Sequence, residues 1–542
     1  MTLKKWLKKW VKKWFLCFLI CSTLAGCSSG NTASSKGSNS SVSSSSTRPS
    51  HSLSGTINFQ VDNYYKFNEI KSSNVSTLKV VFTKVLDHFR VGGDECEPVE
   101  YGGDLYVIMS GDIIYAFNAL SGVQLWSFAP SLSDAPGWAA ETSRGVAVSG
   151  SNVYMLSADD YLYVLNRFNG QVLNKVSIAP VSAGYSESMA PLVVGSDVII
   201  GSSGGDEGTR GFLEAVSTKT WSIVWTWYSV PPPGSSWNQP PNGNHGGGSI
   251  WTTPIYANGK IFAGTGNPSP DFYGNSRPGN DPHTDSVNAL TLNSGTLQWS
   301  GQEVAHDLWD SDAASPPIVF QSGQNIDIGE AGKDGYFYEF NSNNGKEVVK
   351  PIAFVKQDRV VPTLSGVLEW PGSEGGANYG LSTYDPQTQE AYVSGMNFPT
   401  IVKSSPTMPP SANPLQDHED AGSTSVAESG VVPTGTISAI NVNGGNIVWQ
   451  RIFNSPAIGG ITSTSSNLLF FGLEDGSFYV LNALNGKTEF TSNLNAPIGM
   501  APVEYQIGNK EYVAVMTGGA ESLKYQFPYQ GAYSLTVFSV SN

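Results

Sequence analysis

The residues best suited to chemistry in this 542-residue chain lie in glycine-rich segments. Arg144 offers a planar guanidinium that can hold a carboxylate through paired hydrogen bonds. Asp206 stands in the glycine-rich run 201–211 with Glu207 beside it, and carboxylate oxygens are ligands that hard cations prefer. Lys333 could stabilise negative charge that develops on a bound group. Each type also has an ordinary structural explanation, because acidic turns and solvated lysines are common, so both interpretations stay open here.

The composition limits what such a site could serve. The formal net charge of −15 disfavours nucleic-acid binding, because nothing offsets phosphate repulsion. Only 14% of residues are charged, while 59 Gly and 32 Pro accompany 61 aromatic residues. That balance favours a folded all-β protein with many short strands and turns, since helix-rich proteins usually carry more Glu, Lys and Arg.

The N-terminus predicts export. Six lysines in residues 1–13 precede an apolar run that is too short for a comfortable membrane span. The run ends at Leu-Ala-Gly-Cys27, which resembles the lipobox of bacterial lipoproteins. We therefore expect a lipoprotein signal peptide over 1–26, a lipidated Cys27 with a Ser-rich tether over 27–55, and one folded domain over 56–542 on the outer side of the anchoring membrane. An uncleaved anchor is the alternative.

A repeated hairpin sets the architecture. An alternating strand, an Asn-Gly or Ser-Gly turn and a second strand that often ends in Trp recur over residues 114–126, 162–173, 212–225, 287–299, 336–346, 437–449 and 478–487. Seven such copies predict an eight-bladed β-propeller of four-stranded antiparallel sheets, with residues 78–85 pairing with 533–540 as the eighth sheet. The repeat-end tryptophans are expected to pack between sheets. A set of unrelated hairpins is the alternative.

The repeat Asn-x-x-(Ser/Asn)-Gly-x-x-x-Trp resembles that of quinoprotein propellers, the family of pyrroloquinoline quinone (PQQ) alcohol dehydrogenases. The resemblance spans roughly residues 60–540. Outer-membrane assembly lipoproteins share the repeat without binding a cofactor. The case for a cofactor therefore depends on the segments outside the repeat.

Those segments resemble the PQQ-binding motifs of the family. Gly-Gly-Gly-Ser-Ile-Trp251 matches the motif whose Trp forms the floor under the flat quinone. Arg144 in Arg-Gly-Val-Ala matches the Arg that clamps a PQQ carboxylate, and Lys333 matches the cation that faces the reactive quinone oxygens. Glu95, Ser188 and Asn378 match three further cofactor contacts. For Glu95 and Ser188, a strand-end carboxylate and a turn hydroxyl are equally good explanations.

The resemblance also implies a calcium site and a catalytic base. Asp206 falls where the family has a Glu ligand, and Asn267 in Gly-Thr-Gly-Asn matches the Asn ligand. The family's catalytic Asp lies in Pro-Gly-Asp-Asn, but this chain reads Pro-Gly-Asn280-Asp281. An amide cannot act as a general base, so Asp281 is the expected base only through a one-residue shift. The family's adjacent cysteine pair is replaced by Trp138 and Ala139.

The resemblance implies a lipid-anchored dehydrogenase that oxidises an alcohol or polyol with PQQ and Ca²⁺. No Cys-x-x-Cys-His occurs, so the chain has no haem attachment sequence of that type and electrons are expected to pass to a separate cytochrome c or a membrane quinone. Two alternatives remain: a non-catalytic scaffold like the assembly lipoproteins, and a PQQ-binding protein that has lost its base.

Overall fold

The computed structural model describes residues 63–86, 93, 95–133, 135, 139, 142–232, 246–405, 425–428, 430–520, 523 and 532–541. The predicted signal peptide, Cys27, the tether and Trp138 lie outside these residues. The regular structure is almost entirely β, with short 3-10 helices at Val75–Thr77, Val181–Ala183 and Gly274–Ser276. In the described residues, no helix has the length and apolar character needed to cross a bilayer.

Among the described residues, eight sheets contain four antiparallel strands each, and they are numbered here along the chain. Sheets 1 and 2 comprise Val99–Tyr101, Asp104–Met109, Ile113–Asn118 and Gln124–Phe128, then Ala147–Ser149, Asn152–Ser157, Tyr161–Asn166 and Val172–Ser177. Sheets 3 and 4 comprise Leu192–Val194, Asp197–Gly201, Phe212–Ser217 and Ile223–Tyr228, then Ile255–Ala257, Lys260–Thr265, Ser286–Thr291 and Leu297–Gln302. Sheets 5 and 6 comprise Ile318–Ser322, Asn325–Ala331, Tyr336–Asn341 and Ile352–Ala353, then Thr383–Asp385, Glu390–Asn397, Thr434–Asn441 and Asn446–Phe453.

The last two sheets include the chain's first described strands. Sheet 7 comprises Ile461–Thr464, Leu468–Gly472, Ser477–Asn482 and Thr488–Asn493, with Tyr64–Tyr65 added in parallel at its first strand. Sheet 8 comprises Leu78–Val85, Ser534–Val540, Lys510–Thr517 and Val503–Ile507. A further three-stranded sheet comprises Val367–Glu369, Thr400–Val402 and Ser425–Ala427.

The predicted pairing of the chain's two ends is confirmed. Leu78–Val85 runs antiparallel to Ser534–Val540, from the pair Leu78–Val540 to the pair Val85–Ser534. Each of the seven predicted hairpins supplies the third strand of one sheet, in chain order from sheet 1 to sheet 7. The all-β class and the four-stranded antiparallel sheets therefore follow the prediction.

The hydrophobic core is divided among the gaps between successive sheets. Six separate clusters of buried apolar residues each join two successive sheets, the first between sheets 2 and 3 and the last between sheets 7 and 8. A seventh cluster joins Met516 and Leu535 of sheet 8 to Leu105 of sheet 1 and Val153 of sheet 2. Sheet 8 thus packs against both sheet 7 and sheet 1, which is the packing that a closed ring of sheets requires.

The repeat-end tryptophans pack between sheets, as predicted. Each indole N–H donates to a backbone carbonyl of the next sheet at 2.8–3.0 Å: Trp126 to Arg167, Trp225 to Leu292, Trp299 to Ser342 and Trp449 to Ala483. Each ring covers the turn glycine of that next sheet: Gly170, Gly295, Gly345 and Gly486. These glycines have φ between +61° and +69°, and a Cβ there would come within 2.8 Å of the indole. The repeat therefore requires glycine for both its conformation and its lack of a side chain.

Candidate active site

The candidate site lies at one end of the strands. Glu95, Arg144, Ser188 and Trp251 each come shortly before the first strand of sheets 1 to 4, and Asn378 comes shortly before the first strand of sheet 6. Asp206, Asn267 and Lys333 lie between the second and third strands of sheets 3, 4 and 5. Because the first two strands of these sheets run antiparallel, both sets of loops lie at the same end of their sheets.

Arg144 is the centre of the first group of site residues, and three of the predicted cofactor contacts surround it. Its Nη2 lies 2.8 Å from Oε2 of Glu95, and its Nη1 donates to Oγ of Ser188 at 2.6 Å. Its Cζ stands 4.4 Å from the ring centroid of Trp251 and 5.6 Å from that of Tyr379. The buried Nε of Arg144 has no hydrogen-bond acceptor among the described residues. This donor beside an indole face fits a planar ligand with a carboxylate.

Trp251 is half-buried and connects this charged group to an apolar cluster. Its ring packs against a cluster of buried side chains: Tyr379, Met396, Phe398, Ile458, Met500, Ala520 and Leu523. These side chains come from loops and from the end of the strand Glu390–Asn397, far apart in sequence, so the cluster exists only in the folded ring. The arrangement gives a flat ligand an aromatic contact on an apolar base next to a fixed cation.

Lys333 is the centre of the second group of site residues. Its Nζ lies 2.7 Å from Oδ1 of Asp310 and 3.4 Å from Oδ2 of Asp312. Burial alone would lower the pKa of Lys333, but the two carboxylates raise it above its ordinary value. Burial raises the pKa of Asp310, and the neighbouring Asp312 and Asp206 raise it further, while Lys333 opposes the shift. The pair therefore consists of a firmly protonated lysine and a carboxylate that holds a proton more readily than usual.

The predicted metal ligands border the same carboxylates. The backbone N–H of Asn267 donates to Oδ1 of Asp312, and its side-chain Nδ2 donates to Oδ1 of Asp271 at 2.7 Å. Asp206 is exposed and close enough to Asp310 to influence its pKa. In the described residues, no three His, Cys, Asp or Glu side chains are arranged to hold a metal ion by themselves. The donor set that fits a hard cation thus needs the amide oxygen of Asn267 beside the carboxylates.

The three glycines 246–248 fix these loops against each other. A Cβ at Gly246 would lie 1.7 Å from the carbonyl oxygen of Thr209, and a Cβ at Gly247 would lie 2.4 Å from that of Asn267. The N–H of Gly248 donates to the carbonyl of Asn267 at 2.7 Å. Only glycine permits this approach, which sets Trp251 beside the loops that carry Asp206 and Asn267.

The two groups of site residues also adjoin through Ser188 and Asn378. Oγ of Ser188 lies 2.7 Å from Oγ of Ser203, at the start of the loop that carries Asp206. Asn378 donates from Nδ2 to the carbonyl of Glu374 at 3.1 Å and accepts from the N–H of Tyr379 at 2.9 Å. Glu374 in turn contributes to the electrostatic environment of Lys333.

Asp281 has a different environment. Its carboxylate is ion-paired with the fully buried Arg277, and Nδ1 of His306 lies 3.3 Å away. Within the described part of the chain, its carboxylate pairs with Arg277 and His306 and with none of the other predicted site residues. Burial raises the pKa of Asp281, and Arg277 opposes that shift. The structure thus gathers the other predicted residues around Arg144 and Lys333 and places Asp281 in an ion pair with Arg277.

Sequence reasoning missed Asp310 and Asp312. They lie in the run His-Asp307-Leu-Trp-Asp-Ser-Asp312, where three carboxylates at short spacing precede the first strand of sheet 5. Glu95, Arg144 and Trp251 also come shortly before the first strand of a sheet. Their position relative to the repeat could therefore have identified Asp310 and Asp312 from the sequence.

These features define a ring of β-sheets that carries a buried cationic and carboxylate site at the ends of its strands. The family model for the β-propeller domain of PQQ-containing glucose, ethanol and alcohol dehydrogenases matches residues 57–363 and 354–513. The chain belongs to this family.

The individual relatives have low sequence identity to this chain but match most of its length. Quinohemoprotein alcohol dehydrogenase ADH IIB of Pseudomonas putida is 26% identical over 83% of this chain and 71% of its own length. Among solved structures, quinohemoprotein alcohol dehydrogenase ADHIIG from Pseudomonas putida HK5 matches with a TM-score of 0.79 at 22% identity, covering 88% of this chain and 78% of its own. A europium-containing methanol dehydrogenase matches with a TM-score of 0.76 at 22% identity, covering 88% and 96%.

Proposed function

We propose that this protein is a PQQ-dependent dehydrogenase that oxidises an alcohol and passes the electrons to a separate acceptor. The observation that carries the proposal is the stacking of Arg144 over Trp251, with a buried Nε that has no acceptor among the described residues, at the same end of the sheets as the Lys333–Asp310 pair. When bound, PQQ would supply a two-electron acceptor and a metal ion would supply Lewis-acid polarisation.

Arg144 and Trp251 would hold the cofactor. The guanidinium suits a carboxylate of the ligand, and the indole offers a flat apolar face. Glu95 and Ser188 fix the guanidinium through the contacts at 2.8 Å and 2.6 Å, so less conformational entropy is lost on binding. Asn378 would contribute a polar edge, because its amide is held by two backbone contacts next to Tyr379.

Asp206, Asn267 and Asp312 would hold the metal ion, with Asp310 beside them. Two carboxylates and one amide are hard oxygen donors that suit Ca²⁺, which is our proposal, and a trivalent lanthanide is the rival ion for the same donors. Lys333 neutralises part of this negative charge, so it would compete with the metal for Asp312 unless it turns toward the cofactor.

Asp310 is the better-placed acceptor for the alcohol proton. It is paired with Lys333 inside the site and lies two residues from Asp312, so its carboxylate is next to the proposed metal and cofactor. Asp281, the base expected from the sequence, has Arg277 as its ion-pair partner instead. We therefore propose Asp310 for this role and keep Asp281 as the rival that mutagenesis distinguishes.

The N-terminal sequence extends the proposal to location. A lipid on Cys27 would anchor the domain outside the cytoplasm, at the periplasmic or cell-surface side of an envelope membrane, through the tether 27–55. A membrane quinone or a cytochrome c in the same compartment would then receive the electrons. Palmitate labelling of the wild-type chain, and its loss in Cys27→Ala, tests the anchor independently of the enzyme.

The binding experiment is a titration of the full chain with PQQ in the presence and absence of Ca²⁺, followed by quinone absorbance and tryptophan quenching. We expect saturable, metal-dependent binding that Arg144→Gln weakens by about 10- to 100-fold, the loss expected for a charged hydrogen bond. Arg167→Gln is the matched control, because Arg167 is also a buried arginine stacked on an aromatic ring, 4.9 Å from Tyr101, but it lies between sheets 1 and 2 away from the site. A folded wild-type chain that binds no PQQ would contradict the proposal and favour the scaffold alternative.

A further inference from the structure

Arg277 lies outside the predicted site, yet it joins the two segments that supply the candidate metal donors. It is among the largest fully buried side chains and follows the 3-10 helix Gly274–Ser276. Such a buried guanidinium requires acceptors for its donors, because an unpaired buried charge is strongly unfavourable. The location of those acceptors shows what Arg277 holds together.

The first segment is the loop that carries Asn267. Nη2 of Arg277 donates to the carbonyls of Pro270 at 3.0 Å and Asp271 at 3.1 Å. The carboxylate of Asp271 then accepts from Nδ2 of Asn267 at 2.7 Å. This contact fixes the orientation of the Asn267 amide, so that its oxygen is the side-chain atom left to face a cation.

The second segment carries Asp310 and Asp312. The same Nη2 of Arg277 also donates to the carbonyl of Asp307. The carboxylate of Asp307 accepts from the N–H of Ser311 at 2.9 Å and from its hydroxyl at 2.5 Å, which fixes the turn between Asp307 and Asp312. One guanidinium thus bonds to the backbone of both donor segments.

The two segments also pack closely around this contact. A Cβ at Gly274 would lie 2.6 Å from Nε2 of His306 and 2.7 Å from Cδ2 of Leu308. Asp281 balances the charge of Arg277 through its short contact with Nη1. The buried pair Arg277–Asp281 therefore lies at the junction of the segments and outside the donor set itself.

We infer that Arg277, with Asp281 as its counter-charge, is a positioning residue that sets the spacing between Asn267 and the carboxylate of Asp312, and so sets the affinity for the metal ion. This inference rests on the proposed function, because it assumes that these residues bind a metal. It assigns Asp281 a role in metal binding instead of proton transfer.

The test uses Tb³⁺ alone as the probe on the full chain, because Tb³⁺ prefers hard oxygen ligands and its luminescence is sensitised by nearby tryptophan. Arg277→Lys keeps the charge and removes the planar fork that reaches three carbonyls. We expect its Tb³⁺ affinity to fall by about 10- to 100-fold, the range for outer-shell partners of metal ligands. We also expect a shorter Tb³⁺ luminescence lifetime in water, since lost protein ligands are replaced by quenching water molecules.

Arg167→Lys is the matched control. Arg167 is also buried, donates to the carbonyl of Tyr101 at 2.9 Å and pairs with Asp104, but it lies between sheets 1 and 2, in a hairpin that carries no candidate donor. A general loss of stability would affect both variants, whereas the loss of metal affinity and the shorter lifetime should occur only in Arg277→Lys.

Wild-type affinity and lifetime in folded Arg277→Lys would overturn the inference while leaving the proposed function intact. If Arg277→Lys does not fold, Asp281→Asn decides instead, because it removes the counter-charge that the inference assigns to Arg277 and keeps the size of the side chain. Unchanged Tb³⁺ binding in that variant would overturn the inference equally. A wild-type chain that binds neither Tb³⁺ nor PQQ would overturn the proposed function and this inference together.

Discussion

The sheets and the loops at their strand ends are built in opposite ways. Between sheets, the same contact recurs four times: an indole donates to a carbonyl and covers a turn glycine of the next sheet. At the strand ends, each loop contributes a different residue, such as Arg144 before sheet 2 and Trp251 before sheet 4. The repeated contact makes a rigid ring, while the unlike loops supply chemistry, so substitutions in the two regions should affect different properties.

The largest expected effect is on the chemistry of the loops. Asp310→Asn removes the carboxylate beside Lys333 and keeps its volume, so kcat for ethanol with an artificial dye acceptor should fall about 10²- to 10⁴-fold, as for loss of a general base. Thermal stability should change little, because Asp310 is partly exposed and its buried neighbours remain. Steady-state rates at saturating PQQ and metal, with a melting curve for each protein, measure both properties.

Asp281→Asn is the comparison for that experiment. If Asp281 were the base, this variant would lose kcat at saturating metal while Asp310→Asn kept it. If Asp281 balances Arg277 instead, as its 1% side-chain exposure and ion pair suggest, the metal concentration needed for half-maximal activity should rise and kcat at saturating metal should be largely retained.

The fold was predictable because its signals are local. Alternation along a strand, a turn glycine and a terminal Trp all lie within about thirteen residues, and the structure places each such hairpin in one sheet. The pairing of Leu78–Val85 with Ser534–Val540 is long-range, but a ring of sheets leaves the two unpaired ends as partners. Neither inference needs the conformation of a loop.

The site was predictable only where a residue type and its neighbours match a known motif. Arg144, Ser188, Glu95 and Trp251 were recognised in this way, and the structure brings them together. The pairing of Lys333 with Asp310 joins the segment before the first strand of sheet 5 to the loop between its second and third strands, 23 residues apart, and no local pattern encodes it. The role of Arg277 is still less visible, because its partners are backbone carbonyls, which any sequence provides.

Glu97 lies at the boundary of the two regions, between Glu95 and the strand Val99–Tyr101. We expect its substitution to have an intermediate effect, on the pH dependence of stability. Burial raises the pKa of Glu97 from 4.5 to about 8. The folded protein therefore holds this proton while the unfolded chain releases it, so the stability contributed by Glu97 is full below about pH 4.5 and is lost as the pH rises toward 8.

Glu97→Gln removes this dependence. Each unit of the pKa difference corresponds to roughly 1.4 kcal/mol, so the stability of the variant relative to wild type should increase by a few kcal/mol between about pH 4 and pH 8. Urea unfolding of both proteins at the two pH values measures it. Parallel pH dependence in the two proteins would show that Glu97 ionises normally in the folded state.

The smallest expected effect tests the contact between sheets with two glycines of similar conformation. Gly345 has φ +68°, and a Cβ there would lie 2.5 Å from Cε3 of Trp299; Gly259 has φ +79° and nothing within 4 Å of the same position. Gly259→Ala should cost about 1 kcal/mol from the left-handed backbone alone. Gly345→Ala should cost about 1–3 kcal/mol more, because the indole must move from its contact with Ser342. Equal losses in urea unfolding would mean that the indole adapts freely. If Gly345→Ala is fully folded but binds PQQ more weakly, the packing between sheets also affects the loops, and the two regions are not independent.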